Sequence, residues 1–368
     1  MRPPVTPFQA ELDQIRPSFT STPIDHPNFA FPWNYFKEFA RTSNGGDIIL
    51  IVGPSNSGKS QLLSMIAKHL RESVFPEVES GSVPIIGASA QTSSDSRMTP
   101  KHLVETLLAD GGHLMFDAEK QVRMGFYTPS QRITEAKLLR LLSGMLVSCN
   151  VRYVLIDEGQ FITRTKDKLF AAPLVESLKT LAGPQRNLVI CGGYELLEPV
   201  LAYRAHVAAR TVVLHLAPYQ LPTGSRAWAA ILKAMTVNGT LGCSEHVLRA
   251  FANELLDECN GCIGVLERRL RDASAWAAAC GAVLDESVLR ARRPNRMKWE
   301  AERNDIDVGL ANLGLVEWSS GDDGRPVLVS SGLERHGKFK SSSSKKERTS
   351  RSTRPFERKP NRFPGNFE

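Results

Sequence analysis

The sequence contains no run of about 18 uncharged apolar residues, so no helix that crosses a membrane is expected. Its start, "MRPPVTPFQAELDQIRP", lacks the apolar core of a signal peptide, and the expected location is the cytoplasm. Cysteine is scarce and scattered. The six, at positions 149, 191, 243, 259, 262 and 280, fit a reduced compartment better than a disulfide framework. "CNGC" at 259–262 has no second pair and no histidine doublet nearby, so two helix-face cysteines are expected there rather than zinc ligands. Zinc-finger, helix-turn-helix and RNA-recognition signatures are also missing, so sequence-specific base readout is not expected.

What is present is an ordinary apolar share of 42% in 368 residues, enough for a core and about two domains. The net charge of +7 is unevenly spread. From Arg335 to Glu368 there are eleven Lys or Arg against three Glu, a net +8, so the rest of the chain is close to neutral. This Ser-rich, basic stretch cannot bury enough apolar surface to offset its ordering entropy and is expected to be disordered. It suits a polyanion such as DNA, or serves only as a solubilising tail.

The apolar run "DIILIVG" is continuous rather than alternating and ends in Gly, which predicts a buried strand of a parallel sheet. It leads into "GPSNSGKS", which meets the phosphate-loop pattern G-x-x-x-x-G-K-[ST], and then into "SQLLSMIAKHLRES", with Leu62, Leu63, Ile66 and Leu70 at helical spacing. Strand, Gly-rich loop and helix form the context that the pattern requires. Gly53, Pro54, Ser55, Asn56, Ser57, Gly58, Lys59, Ser60 and Gln61 are therefore the expected nucleotide-binding residues, with ATP as the ligand. Gly53 and Gly58 let successive N–H groups turn toward phosphate, Lys59 reaches the β and γ phosphates, and Ser60 ligates Mg²⁺.

Further strands are predicted at 83–90, 153–158, 187–193 and 211–217, separated by helical patterns, which argues for an α/β sheet with right-handed crossovers. After Pro222 the pattern becomes helical as far as about residue 293, and "LVEWSSGDDGRPVLVSS" at 315–331 suggests a hairpin around Asp323-Gly324. "VRYVLIDEGQF" carries an apolar strand into Asp157 and Glu158, at the strand end where open α/β sheets place ligands. Asp157 is expected to hold Mg²⁺ through its water shell, and Glu158 to polarise the attacking water as general base. The separation of the two motifs leaves room for an intervening strand, as in the additional-strand NTPases, which include AAA+ proteins.

The runs "VRYVLIDEGQF", "PLVESLKTLAG" and "NLVICGGYELLEPVLAYRAHVAARTVVLHLAPY" together resemble the TniB/TnsC family of AAA+ transposition regulators, over roughly residues 20–285. The resemblance implies a parallel five-stranded AAA+ sheet and a small helical lid, beside the disordered basic tail that the composition predicts. The corresponding boundaries are an extension at 1–45, a nucleotide-binding core at 46–222, a lid at 223–295, a hairpin and linker at 296–332 and the tail at 333–368. It also implies an ATPase that oligomerises with ATP at subunit interfaces, binds double-stranded DNA through phosphates, and works with a transposase and a target-selection protein. Arg204 and Arg210 precede the fifth predicted strand, where such proteins place an arginine that reaches a neighbour's γ phosphate; Arg210 aligns better, and a plain surface arginine is the alternative. Arg97, Lys101, Thr128, Ser130 and Arg132 occupy the segments the family uses for DNA, although such residues near helix starts are usually just solvated.

The chain departs from the family at three places. Gly193-Tyr194 replace Gly-Thr, Gly159-Gln160 follow the acidic pair, and no Arg follows Gly264 at once, which leaves Arg268 or Arg269 as sensor candidates and points to slow hydrolysis. An ATP-switched scaffold without DNA and a helicase loader are the competing readings. The aromatic stretch "NFAFPWNYF" either docks a partner or packs on the chain's own core.

Overall fold

A computed structural model describes residues 1–15, 26–90, 100–116, 133–163, 181–197, 210–222, 224–238, 245–318 and 327–329. The chain divides into two units, Met1–Leu333 and Glu334–Glu368, and the second lies outside the described residues. In chain order, the first elements are α1 (Pro7–Asp13), α2 (Pro27–Thr42), β1 (Ile48–Val52), α3 (Lys59–His69), β2 (Ile85–Ser89), α4 (Pro100–Asp110) and α5 (Glu135–Ser148). Then follow β3 (Tyr153–Asp157), the short α6 (Gln160–Thr163), β4 (Asn187–Gly192) and β5 (Thr211–His215).

All the strand pairs are parallel and the order is β2-β3-β4-β1-β5, with a sixth strand outside β5. Both faces of the central strands are covered, which is why their sequences are continuously apolar. Ile48, Leu50 and Val52 of β1 pack toward α4 and α5, whereas Ile49 and Ile51 pack toward α1, α2 and α3. The aromatic lead belongs to this second layer. Phe8, Phe29 and the fully buried Phe36 lie in it, so α1 and α2 pack on the chain's own core.

The edge of β2 is covered rather than left open to another chain. Asp110, at the end of α4, accepts from the Gly87 N–H of β2 and from the Phe8 N–H of α1, each at 2.7 Å, and Gln9 Nε2 donates to the Ile85 carbonyl at 3.1 Å. Burial raises the Asp110 carboxyl to about 6, against the downward pull of those two amide hydrogen bonds.

The lid comprises α7 (Ser225–Asn238), α8 (Glu245–Ala250), α9 (Ala252–Glu258), α10 (Ile263–Ala279) and α11 (Glu286–Ala291) around a core that includes Trp228, Leu255, Leu266 and Leu270. Cys259 and Cys262 sit in the turn joining α9 to α10, not on helix faces as expected; both are free and buried, and burial pushes the Cys262 thiol up to about 12. The long α12 (Arg296–Trp318) then runs from lid to sheet. Near its start Trp299 Nε1 donates to the Asp257 carbonyl of α9 at 2.8 Å, and further on Gly309 packs on the Tyr194 ring while Leu313 enters the sheet core.

The expected hairpin at 315–331 needs correction. Residues 315–318 continue α12, and β6 (Val327–Val329) adds parallel to β5, with Val213 opposite Leu328. The open edge of β5 and the continuing helix together account for the difference; Asp323 and Gly324 lie outside the described residues. The sheet therefore has the five predicted strands and one more.

Candidate active site

The phosphate loop leaves β1 at Gly53 and closes at Gly58, whose φ of +93° is a conformation that glycine adopts without strain and that turns the chain into α3. Asn56 also has positive φ, at 61°. Because α3 begins at Lys59, the unpaired N–H groups of its first turn face the loop, a ready site for an anion. Gly53 and Pro54 are buried and Ser55 is exposed, while Asn56 through Gln61 are half-buried. Lys59 bends back over the loop, its Nζ donating to the carbonyls of Gly53 at 3.1 Å and Pro54 at 2.6 Å. The buried Ser57 Oγ has no hydrogen-bond partner among the described residues. A lysine that bonds its own loop and a buried hydroxyl without a partner among the described residues both fit a phosphate bound there.

The acidic pair arrives from β3. Asp157 is buried and its Oδ1 accepts from the Glu158 N–H at 2.8 Å; Glu158, with a φ of 54°, turns the chain away from the strand. Cys191 of β4 stands between the two motifs, opposite Ile51 of β1 and one residue beyond the Ile190–Ile156 pair that sets β3 alongside. Burial raises its thiol well above the usual range, Asp157, which hydrogen-bonds to it, pushes the same way with Glu158, and Lys59 pulls it down. Ser60, in the first turn of α3, and Asp157, at the end of β3, are the protein oxygens that could hold Mg²⁺, which takes few protein ligands and keeps waters and phosphates for the rest.

At the position after β4 where a sensor would stand, Tyr194 turns toward β5 instead. Tyr194 is buried and its OH meets His215 Nε2 of β5 at 3.0 Å. Burial drives the His215 imidazole down to about 3, so it is neutral in the folded chain. The unfolded chain takes up a proton near pH 6.5 that the folded one refuses. Stability therefore falls as the pH drops from about 6.5, by up to about 1.4 kcal/mol per pH unit, and thermal melts of His215→Gln are expected to show a shallower loss over pH 7 to 4.

The lid touches the loop directly. The Gly264 N–H at the start of α10 donates to the Asn56 carbonyl at 3.0 Å, an approach only glycine permits, since a β-carbon there would lie 2.6 Å from that oxygen. Arg268 Nη2 reaches Asn56 Oδ1 at 2.9 Å. Arg269 points inward instead, donating to the Leu289 and Arg292 carbonyls and pairing with Glu258. Of the two sensor candidates, Arg268 alone reaches the loop.

Strand order, phosphate loop, acidic pair and helical lid now stand together. The chain has the AAA+ fold. No protein-family model and no curated protein matches the sequence. Among solved structures it is similar to a Walker-type ATPase of Pyrococcus abyssi, at 14% identity over 83% of this chain and 79% of that one, with a TM-score of 0.45. It is also similar to domain III of the Thermotoga maritima replication initiation protein DnaA, at 15% identity over 78% and 97%, TM-score 0.41. The Thermotoga maritima RuvB Holliday junction branch migration motor follows at 13% over 82% and 73%, TM-score 0.38. The fold rests on the strand order and the lid, independently of these likenesses.

Arg210 is exposed and immediately precedes β5. Arg97, Thr128, Ser130, Arg132 and Arg204 lie outside the described residues. Lys101 is half-buried in the first turn of α4 and pairs with Glu105 at 3.9 Å. Sequence reading missed Asn28, whose Nδ2 donates to the Ala217 carbonyl at 2.9 Å, His26, which meets Tyr219 OH at 2.9 Å, and Phe29, whose ring lies beside Gly58. Their signal was the aromatic lead itself, which bears on the loop as well as on the core.

Proposed function

We propose that the protein is an ATP-dependent AAA+ regulator of DNA transposition that oligomerises on target DNA and recruits or activates a transposase. The observation that carries the ATPase part is the phosphate loop at the end of β1, with Lys59 folded over it, one strand away from the acidic end of β3 in the same parallel sheet. The transposition part is supported by the sequence resemblance, above all between Tyr194 and Tyr219. On this reading Lys59 exchanges the Gly53 and Pro54 carbonyls for the β and γ phosphates, with the loop N–H groups holding their oxygens. Mg²⁺ held by Ser60 and Asp157 would neutralise charge developing on the phosphates. Glu158 orients a water and accepts its proton, and Arg210 of a neighbouring subunit stabilises the transferred phosphoryl group.

Arg210 yields a prediction that separates a shared site from a self-contained one. Arg210→Ala is expected to lower ATP hydrolysis by about a thousandfold or more, the usual effect of such an arginine. Mixing Arg210→Ala with Lys59→Ala chains is expected to restore part of the rate, because one supplies an intact loop and the other an intact arginine. Electron microscopy of the full chain with duplex DNA under ATP, ADP and no nucleotide tests the whole reading. Rings or filaments on DNA that need ATP and weaken with salt support it. Particles indifferent to DNA and nucleotide would leave a scaffold in its place.

A further inference from the structure

Gln160, one of the departures from the family pattern, joins the acidic pair to the neighbouring strand. It opens α6, and its side chain lies between the ends of β3 and β4. Nε2 donates to Glu158 Oε2 in a short hydrogen bond, and Oε1 accepts from the Gly193 N–H at 3.2 Å. A backbone N–H can only donate, so the amide oxygen must face Gly193 and the NH₂ must face Glu158. The space for this bridge depends on Gly192, where a β-carbon would fall 2.6 Å from Gln160 Oε1 and 2.9 Å from its backbone nitrogen. Glu158, with its left-handed backbone, has its carboxylate held at Oε2, while Oε1 has no hydrogen bond among the described residues.

We propose that Gln160 is the positioning residue for Glu158, fixing which carboxylate oxygen receives the water proton and making that alignment depend on the end of β4. The inference rests on the reading of Glu158 as the base of ATP hydrolysis. In that step the water O–H bond breaks and its proton passes to Glu158 Oε1. The water oxygen bonds to the γ phosphorus, and the bond from that phosphorus to the β–γ bridging oxygen breaks, with its electron pair leaving on ADP. Glu158 then returns the proton to solvent. Gln160 takes no part in the bond changes. Its contribution is the angle at which the carboxylate meets the water. Because Gly193 adjoins Tyr194, which α12 contacts through Gly309, a shift at the end of β4 would release the carboxylate.

The test is steady-state ATP hydrolysis and nucleotide affinity of the full chain, wild type against Glu158→Gln, Gln160→Ala, Gln160→Met and the double variant Glu158→Gln/Gln160→Met. Wild type is expected to exceed Glu158→Gln by about a hundredfold or more. Gln160→Met, which keeps the volume but loses both hydrogen bonds, is expected to lower kcat by about 10- to 100-fold with KM and ATP affinity within about threefold, the scale of a supporting-shell loss. In the Glu158→Gln background the same change is expected to have no further effect, because Gln160 acts through Glu158. A packing role would instead spare Gln160→Met and damage Gln160→Ala, and that pattern overturns the proposal. Equal penalties in both backgrounds overturn it as well. Glu158→Gln hydrolysing like wild type would remove the base reading, and the proposal with it. A Glu158-dependent rate that no Gln160 variant changes would remove the proposal alone.

Discussion

Lys59→Ala is expected to weaken ATP binding by about a hundredfold or more, since it removes two charge-assisted hydrogen bonds to phosphate worth about 1.5–3 kcal/mol each. The substitution is expected to leave the fold nearly untouched, because among the described residues the Lys59 ammonium bonds only the Gly53 and Pro54 carbonyls, and that loop stays anchored between β1 and α3. Calorimetric titration with ATP and Mg²⁺ measures the loss, and a melting curve checks that the protein remains folded. On the proposed function the ATP-dependent assemblies on DNA disappear with it. Assembly that survives Lys59→Ala unchanged would mean that nucleotide is not the switch.

Glu158→Gln is expected to act at the opposite point of the cycle. The amide cannot accept the water proton, so hydrolysis falls by about 10² to 10⁴ while ATP affinity holds, the range set by general-base catalysis. The geometry survives, because a glutamine at 158 still offers a carbonyl oxygen to Gln160 Nε2 where the carboxylate did. Assemblies on DNA should form normally and outlast those of the wild type. Single-turnover hydrolysis separates the lost chemistry from binding. A Glu158→Gln protein that assembles and disassembles at the wild-type rate would mean that hydrolysis does not drive disassembly.

Much of the sheet and the centre of the site could be read from local pattern. β1, β3 and β4 are continuous apolar runs, β1 entering the loop at Gly53 and β3 ending in an acid, because a strand buried on both faces leaves no alternation to confuse with a helix. Lys59, Asp157 and Glu158 follow from motif and strand end alone. The rest depends on contacts between distant parts of the chain. Arg268 and Arg269 are neighbours on α10 and differ in sequence context by one position, yet about 100° of helical rotation sends one to Asn56 and the other to Glu258. Gln160 looks like a loop residue until Gly193 is placed beside it, and β6 looks like half a hairpin until the edge of β5 is exposed. The aromatic lead could equally have bound another protein. Only the packing of Phe36 and Phe29 against α3 and β1 decides that residues 27–42 belong to the core.

The long helix α12 changes the mechanics of the lid. A lid joined to its sheet by a single strand of chain can swivel in any direction, as a ball does in a socket. Here the chain from β5 into α7 is one attachment, and α12, about 34 Å long at 1.5 Å per residue, is a second that grips the lid at Trp299 and the sheet at Leu313. With the bonds from Gly264 and Arg268 to Asn56, these attachments brace the lid at both its ends, so the helix ties the packing of the sheet to the position of the lid over the loop.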